Sequence, residues 1–239
     1  MKACIVSYKS SKEFIEILNK HKIEVIKTIP LKEVDKPIID HPDMAIHPID
    51  YYTFVVYNKH AKYYKEKLMK FNVRVVESYN NINKIFPNDI ALNISRTKDF
   101  YFHKKGYTDK NVIHYLMDKS RPIYTNQGYS KCSSLIIKQN VIITCDKGLY
   151  NTYIKNGIKA YFLPQGSIDL PGYNTGFIGG CGGMISKNEI LFYGNLDKYK
   201  YREELIEILT RENITYYYPS DCDFVDRGSI IGVLGGIND

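Results

Sequence analysis

Hydrophobic and polar positions along the chain repeat one plan several times. An apolar helical stripe is followed by a polar break, a short strand, a polar loop, a second strand, a tight turn and a third strand. Helices are predicted over residues 12–19, 60–70, 109–117, 148–155 and 199–210, and Ser11 and Asp109 are typical N-terminal residues for the first and third. The strand after each helix begins at Ile23, Val73, Pro122, Ile158 and Ile214, at intervals of about 35 to 56 residues.

The fifth unit is incomplete, because residues 214–234 supply its first strands and the chain then ends within a few residues. The N-terminal segment MKACIVSY and the helix over residues 12–19 are the missing parts. A ring that shares one unit between its two termini leaves few open sheet edges. The sequence therefore predicts a single α/β domain over residues 1–239, a five-bladed pseudo-symmetric β/α propeller in which the N-terminal strand closes the last blade. A doubly wound α/β sheet is the alternative, but it rarely repeats a β-turn-β unit after every helix.

Polar residues cluster in the stretch PIIDHPDMAIHPIDYYTFVVY, residues 37–57. Pro42 and Pro48 interrupt it, so we predict a loop that feeds a strand and no helix. Aligning the repeats brings five residues to corresponding points where a strand enters the centre of the ring: Asp43, Asp89, Lys131, Gly179 and Asp226. Carboxylates around one axis would form a site for a cationic group. The alternative for each aspartate is an ordinary turn or loop cap.

Two histidines in this stretch could carry chemistry. Asp40, His41, Asp43 and His47 are acceptable metal ligands by type, but the prolines bend the backbone and leave their common direction unproven. A histidine that moves a proton, or that hydrogen-bonds a loop, is the favoured interpretation. No metal and no cofactor are therefore assigned.

Two of the five cysteines are candidates for a reactive thiol. Cys132 follows Lys131, and a nearby cation lowers the pKa of a thiol, although adjacent strand residues point to opposite faces. Cys181 lies in the run Gly179-Gly-Cys-Gly-Gly183, where glycines allow either close approach of a ligand or tight packing at a crowded axis. For both, a small buried cysteine is the structural alternative.

Composition narrows the class of protein. The formal charge of +7 comes mostly from lysines spread over predicted helices, which favours a solvated surface over a nucleic-acid patch. Widely spaced cysteines without a CxxC pair, and an N-terminal apolar stretch too short for a signal peptide, predict a cytoplasmic protein with reduced thiols. Apolar runs long enough for a membrane span are absent from the sequence, so no membrane partner is expected.

The phrases HPDM, GYSKCSSLII, IITCDKG, GYNTGFIGGCGG and DRGSI, together with the repeat plan over essentially the whole chain, resemble the pentein or guanidino-group-modifying-enzyme fold, and most of all an uncharacterised clostridial-type branch of it. The family includes deiminases, amidinotransferases and dimethylarginine hydrolases. The resemblance implies a guanidinium held by paired carboxylates, a nucleophilic cysteine and a proton-carrying histidine. Two motifs depart from the family: Gly232 stands where the C-terminal cysteine is expected, and residues 169–173 lack the histidine of Gly-His-x-Asp.

We therefore expect hydrolase-type chemistry on a small guanidino or amidine compound, a cationic ligand of the central channel. Cys132 is the expected nucleophile, His41 or His47 the proton carrier, and Asp43 with Asp226 the cation clamp. The other expected ligand-binding residues are Asp40, Asp89, Lys131, Asp169, Cys181 and Arg227. The alternative is a non-catalytic binding module for a ribosome, nucleic acid or protein, like the anti-association relative of the family. The oligomeric state is left open.

Overall fold

Five small sheets of three strands each, separated by helices, make up the computed structural model, which describes residues 1–233. The strands are β1 (Ala3–Val6), β2 (Glu24–Lys27), β3 (Ile46–Pro48), β4 (Thr53–Val56), β5 (Arg74–Glu77), β6 (Ser95–Arg96), β7 (Phe100–His103), β8 (Arg121–Tyr124), β9 (Ser134–Lys138), β10 (Val141–Thr144), β11 (Lys159–Phe162), β12 (Gly182–Met184), β13 (Glu189–Phe192), β14 (Thr215–Tyr217) and β15 (Ile231–Val233). The α-helices are α1 (Lys12–Lys20), α2 (Pro42–Ala45), α3 (Ala61–Leu68), α4 (Lys110–Leu116), α5 (Lys147–Lys155) and α6 (Arg202–Arg211).

Each sheet has the same internal topology. Sheets I to IV contain β3-β4-β5, β6-β7-β8, β9-β10-β11 and β12-β13-β14, and sheet V contains β15-β1-β2. The first two strands of each sheet are antiparallel, whereas the third is parallel to the middle strand. A parallel neighbour needs a crossover connection, which α3, α4, α5, α6 and α1 provide in turn.

The N-terminal strand completes the last sheet, as predicted. β1 is its middle strand and pairs with β15 through Ala3 opposite Val233 and Ile5 opposite Ile231. The final predicted segment extends to Leu234, which lies outside the described residues. The two ends of the described chain are thus hydrogen-bonded to each other in one sheet.

Burial increases from the third strand of each sheet to the middle strand. β1 is buried throughout, and β4, β7, β10 and β13 are each buried except at their first residue. The third strands carry mostly exposed or half-buried residues. The middle strands are almost continuously apolar because both of their faces are covered by the rest of the protein.

Helix starts follow the predicted caps. The side chains of Ser11 and Asp109, the two predicted N-terminal residues, accept backbone N–H groups in the first turns of α1 and α4, and Asp146 does the same for α5. These caps fix where each of these three crossover helices begins.

Three segments around the points where strands were predicted to enter the centre of the ring have other backbone structure. Residues 42–45 form the one-turn helix α2, because Pro42 occupies the first helical position, where its missing N–H costs nothing. Residues 89–94 and 128–133 form turns and irregular backbone ahead of short strands. Local bonds, such as Ser134 N to Lys131 O at 3.0 Å, replace ladder bonds there. The interior-facing polar residues thus sit on turns, and the strands begin after them.

The longest described helix, α6, has 10 residues, and within residues 1–233 no helix is long and apolar enough to cross a membrane.

Glu212, at the C-terminal end of α6, joins this helix to sheet III. Its carboxylate accepts hydrogen bonds from Tyr161 Oη at 2.6 Å and Lys138 Nζ at 3.1 Å, and Lys159 Nζ lies 2.5 Å away. Burial alone would raise the pKa of Glu212, but these three donors outweigh burial and lower the pKa to about 2.

We predict that Glu212→Gln destabilises the protein by about 1–2 kcal/mol at neutral pH, a value reduced for the partial exposure of both lysines. The folded pKa lies below the ordinary value, so this stabilisation is present above the ordinary pKa and is lost as the pH falls toward about 2. Urea denaturation of both proteins across this range measures the difference. Glu207→Gln, on the exposed face of the same helix, is the control with little expected change. A difference that does not depend on pH would contradict the assignment.

Candidate active site

The short helix α2 carries Asp43 into the interior, where the residue is 2 % exposed. Its Oδ2 accepts hydrogen bonds from Ser229 Oγ at 2.7 Å and Ser229 N at 3.1 Å, and from Cys132 Sγ at 3.4 Å. Its Oδ1 is buried and has no hydrogen-bond partner within the described part of the chain. One carboxylate oxygen is therefore anchored, and the other is available to a ligand.

Ser229 connects Asp43 to two further units. Lys131 Nζ donates to Ser229 Oγ at 2.8 Å, and Gly179 O lies 2.9 Å from the same hydroxyl. A hydroxyl has one proton, so Ser229 donates either to Asp43 or to the Gly179 carbonyl at any moment. Burial lowers the pKa of Lys131, although the charge of Asp43 acts in the opposite direction.

Asn93 holds the backbone and the thiol of Cys132. Its Oδ1 accepts the N–H groups of Lys131 at 3.0 Å and Cys132 at 3.2 Å, and its Nδ2 donates to Cys132 Sγ at 2.9 Å. Asn93 also lies 3.4 Å from the backbone oxygen of Asp43. The amide therefore fixes the thiol beside Asp43. Asn93 is not among the predicted site residues, because the alignment of the repeats selects Asp89 as the inward-facing position of this unit.

Burial raises the pKa of the Cys132 thiol well above its ordinary value. The charges of Asp43 and Asp226 raise that pKa further, whereas the hydrogen bond from Asn93 lowers it. Without a bound ligand the Cys132 thiol is therefore protonated at neutral pH. The proximity of Lys131 in sequence does not give the thiolate that we expected, because the ammonium group bonds Ser229.

His41 faces Cys132 and two carboxylates. Its Nε2 lies 3.7 Å from Asp226 Oδ1, and neither ring nitrogen has a hydrogen-bond partner among residues 1–233. One His41 nitrogen, one Asp43 oxygen and the Cys132 sulfur all lie within 4.8 Å of one another. We call these three residues with Asp226 the acid–thiol cluster. A nitrogen, oxygen and sulfur set of this kind could hold Zn²⁺, and it equally places a nucleophile beside a proton acceptor.

Asp226 closes the acid–thiol cluster from the loop that precedes β15. It accepts backbone N–H groups from Phe177 at 2.8 Å and Gly228 at 3.0 Å. Burial raises its pKa and Asp43 acts in the same direction, whereas His41 and the two N–H groups lower it; the pKa remains raised. Gly180 makes room for this side chain, since a Cβ at Gly180 would lie 1.9 Å from Asp226 Oδ1.

Several predicted site residues lie outside the acid–thiol cluster. Asp40 is buried and binds Ser7 Oγ at 2.6 Å and Lys9 Nζ at 2.8 Å, with Arg227 Nη1 3.9 Å away. Asp89 accepts the hydroxyl proton of Tyr129.

The remaining three candidates have separate surroundings. Asp169 is exposed and lines a surface cavity with Lys198 and Asp223, although its backbone bonds that of Asp226. Cys181 is buried and its thiol donates to the Phe177 carbonyl at 3.3 Å; burial raises its pKa. His47 is buried on the other side of Asp43, where burial lowers its pKa to about 3. Of the two histidines proposed as proton carriers, His41 alone belongs to the acid–thiol cluster.

We predict that Gly180→Ala destabilises the protein by at least about 2 kcal/mol, because the new methyl group would overlap the Asp226 carboxylate. Gly148→Ala is the matched control, since Gly148 is exposed on α5 and its Cβ would meet only Asp146 Oδ1, at 3.1 Å. The control should change the free energy of unfolding by about 1 kcal/mol or less. Chemical denaturation of both variants tests this. Equal stability of the two would show that Asp226 is not packed against Gly180.

Solved structures of guanidino-group-modifying enzymes share this fold. DDAH from Pseudomonas aeruginosa, a mutant in complex with citrulline, is 8% identical with a TM-score of 0.55, over 92% of both chains. StrB1, the inosamine-phosphate amidinotransferase of Streptomyces griseus, is 10% identical with a TM-score of 0.56, over 94% of this chain and 79% of that one. SxtG, an amidinotransferase of the saxitoxin biosynthetic pathway from Microseira wollei, is 12% identical with a TM-score of 0.54, over 89% and 73%. At these identities the likeness concerns the fold.

No curated protein matches the sequence. The model of one family, described as a family of unknown function (DUF6873), matches residues 5–231. The chain therefore belongs to this family, DUF6873, and has the pentein fold of the guanidino-group-modifying enzymes.

Proposed function

We propose that this protein is a cysteine-dependent hydrolase that cleaves a C–N bond of a small guanidino or amidine compound. The observation that carries the proposal is the acid–thiol cluster itself. Cys132 Sγ, a His41 nitrogen and an Asp43 oxygen lie within 4.8 Å of one another, and Asp226 is 3.7 Å from His41 Nε2. A nucleophile, a proton carrier and two acids thus meet in one buried place.

The charges around the thiol favour a cationic ligand. Two buried carboxylates, Asp43 and Asp226, act on the thiol, and the half-buried Lys131 supplies one positive charge near Asp43. Asp43 Oδ1 is free to accept from a planar N–H donor of a guanidinium or amidinium group. A ligand with a single positive charge would offset the one excess negative charge of these three groups.

The same charges explain how a ligand would activate Cys132. Burial, Asp43 and Asp226 all raise the pKa of the Cys132 thiol. A bound cation would cancel the part of this increase that the two carboxylates cause. His41 would then take the thiol proton. The thiolate attacks the central carbon, a C–S bond forms, and the amine leaves with the proton from His41. Water then displaces the sulfur and regenerates the thiol.

We further propose that the five sheets close into a ring around this cluster. Two contacts support closure. The first described strand pairs with the last one, and residues of all five units bond one another in the interior. Those interior contacts link Asp43, Asn93, Lys131, Gly179 and Ser229.

We predict that methylguanidine increases the rate at which iodoacetamide alkylates Cys132 by about tenfold or more at neutral pH and moves the midpoint of its pH profile downward. The physical reason is that the bound cation offsets the carboxylates that raise the thiol pKa. A Cys222→Ser background removes the half-buried cysteine, and EDTA keeps metal ions off the cluster. Peptide mass spectrometry follows Cys132, with Cys4 as the internal control, because burial alone raises the pKa of Cys4.

The variant Asp43→Asn tests whether the Asp43 charge is what raises the midpoint. Without the Asp43 charge, the midpoint should be lower even in the absence of ligand, and methylguanidine should have little further effect. Asp89→Asn is the matched control, because Asp89 bonds Tyr129 and does not influence the Cys132 thiol. If methylguanidine leaves the alkylation of Cys132 unchanged in the parent protein, the hydrolase proposal fails.

A further inference from the structure

A cavity of about 190 Å³ lies against Asp43 and Lys131, apart from His41, Cys132 and Asp226. We call it the inner cavity. Its polar lining consists of Asp43, His47, Arg96 and Lys131. The rest of its wall is mostly aliphatic and includes Ile46, Leu92, Ile94, Ile136, Ile230 and Ile231. The lining, mostly aliphatic with a few polar groups, is typical of a site for a small organic molecule.

Polar atoms in the inner cavity are incompletely used. Arg96 Nε is a buried donor without a hydrogen-bond partner in the described segment, residues 1–233, and His47 Nε2 has none there either. His47 bonds the backbone of Leu92 through its other ring nitrogen, so Nε2 donates only when the ring is protonated. Arg96 Nη1 donates to the Ile49 carbonyl, which fixes the guanidinium group at the wall. Lys131 Nζ makes one hydrogen bond, to Ser229 Oγ, and an ammonium group has three protons. Buried donors without acceptors are rare in folded proteins, and a ligand would satisfy these.

The charges that line the inner cavity favour an anionic ligand. Arg96 and Lys131 contribute two positive charges, and Asp43 contributes one negative charge. Burial lowers the pKa of His47 to about 3, and the charges of Arg96 and Lys131 act in the same direction, against a hydrogen bond to the backbone of Leu92. One negative charge added to this cavity would neutralise it and would favour protonated His47.

The inner cavity adjoins a larger one of about 390 Å³, which shares Pro48, Arg96, Lys131, Ile136, Ile230 and Gly232 with it. The rim of this outer cavity carries Lys98 and Lys138, and Lys138 is paired with Glu212 at 3.1 Å. The acid on the rim, Asp50, is paired with Lys119 at 2.6 Å. A basic entrance attracts anions and raises their local concentration.

We propose that the inner cavity binds a small organic carboxylate, with Arg96, Lys131 and His47 as donors to its oxygens and the isoleucine-rich wall around its hydrocarbon part. The aliphatic lining favours an organic acid over an inorganic anion. This site does not depend on the proposed hydrolase activity, because it uses neither Cys132 nor His41.

Butyrate is the probe for this site, and the test is an NMR titration of the full chain at neutral pH. Butyrate should shift the His47 ring signals and raise the pKa of His47 above about 3. Arg96→Gln should weaken butyrate binding about tenfold or more, since it removes a charged donor. Lys98→Gln, which removes an equal charge from the rim alone, should change binding less than about threefold.

Arg96→Lys covers the case in which Arg96→Gln does not fold, because it keeps the charge and should retain measurable binding. Two results would overturn the proposal. One is the absence of any His47 response to high-millimolar butyrate in the folded parent protein. The other is an equal response to inorganic phosphate at the same concentration, which would contradict an organic acid as the ligand class.

Discussion

The buried carboxylate of Asp43 is the interaction on which the interior of this protein depends. Moving a carboxylate out of water costs several kcal/mol unless donors replace its hydration. Ser229 supplies two of those donors, and Lys131 adds a positive charge through the same hydroxyl. Asn93 Nδ2 lies 3.4 Å from the backbone oxygen of Asp43, and the Gly179 carbonyl lies 2.9 Å from the Ser229 hydroxyl. One charge therefore holds together residues from all five repeats, although they are distant in sequence.

Asp43 and Lys131 also divide the interior into two regions of opposite character. On one side, Asp43 and Asp226 surround a thiol and raise its pKa. On the other side, Arg96 and Lys131 surround His47 and contribute to its lowered pKa. The first region would be stabilised by a cation and the second by an anion, because burial makes each unbalanced charge costly. The same physical principle thus predicts two different ligands in adjacent regions.

Local signals in the sequence predicted the elements well. Ser11 and Asp109 mark helix starts because capping depends only on neighbouring backbone groups. Pro42 was misinterpreted as a break, since sequence alone does not distinguish the first position of a helix from its interior. The plan of five strand-turn-strand units gave the sheets, because their hydrophobic periodicity is local as well.

The candidate site was harder to predict, since it depends on contacts between repeats. His41, Asp43 and Cys132 were selected, and they lie together, but the reason given for Cys132 was its neighbour Lys131. In the structure burial raises the pKa of the thiol most, and the carboxylates of Asp43 and Asp226, which are remote in sequence, raise it further. Asn93 was missed, because an asparagine in an apolar segment has no signal until its partners are known.

Two buried carboxylates, Asp43 and Asp226, should direct a cation to the Cys132 thiol. The rates at which 2-chloroacetamidine and its neutral isostere 2-chloroacetamide modify Cys132 can be compared to test this, since the two reagents differ mainly in charge. The cationic amidine should modify Cys132 faster by about tenfold or more, with one adduct per chain. Equal rates for the two reagents, or modification confined to Cys222, would contradict it.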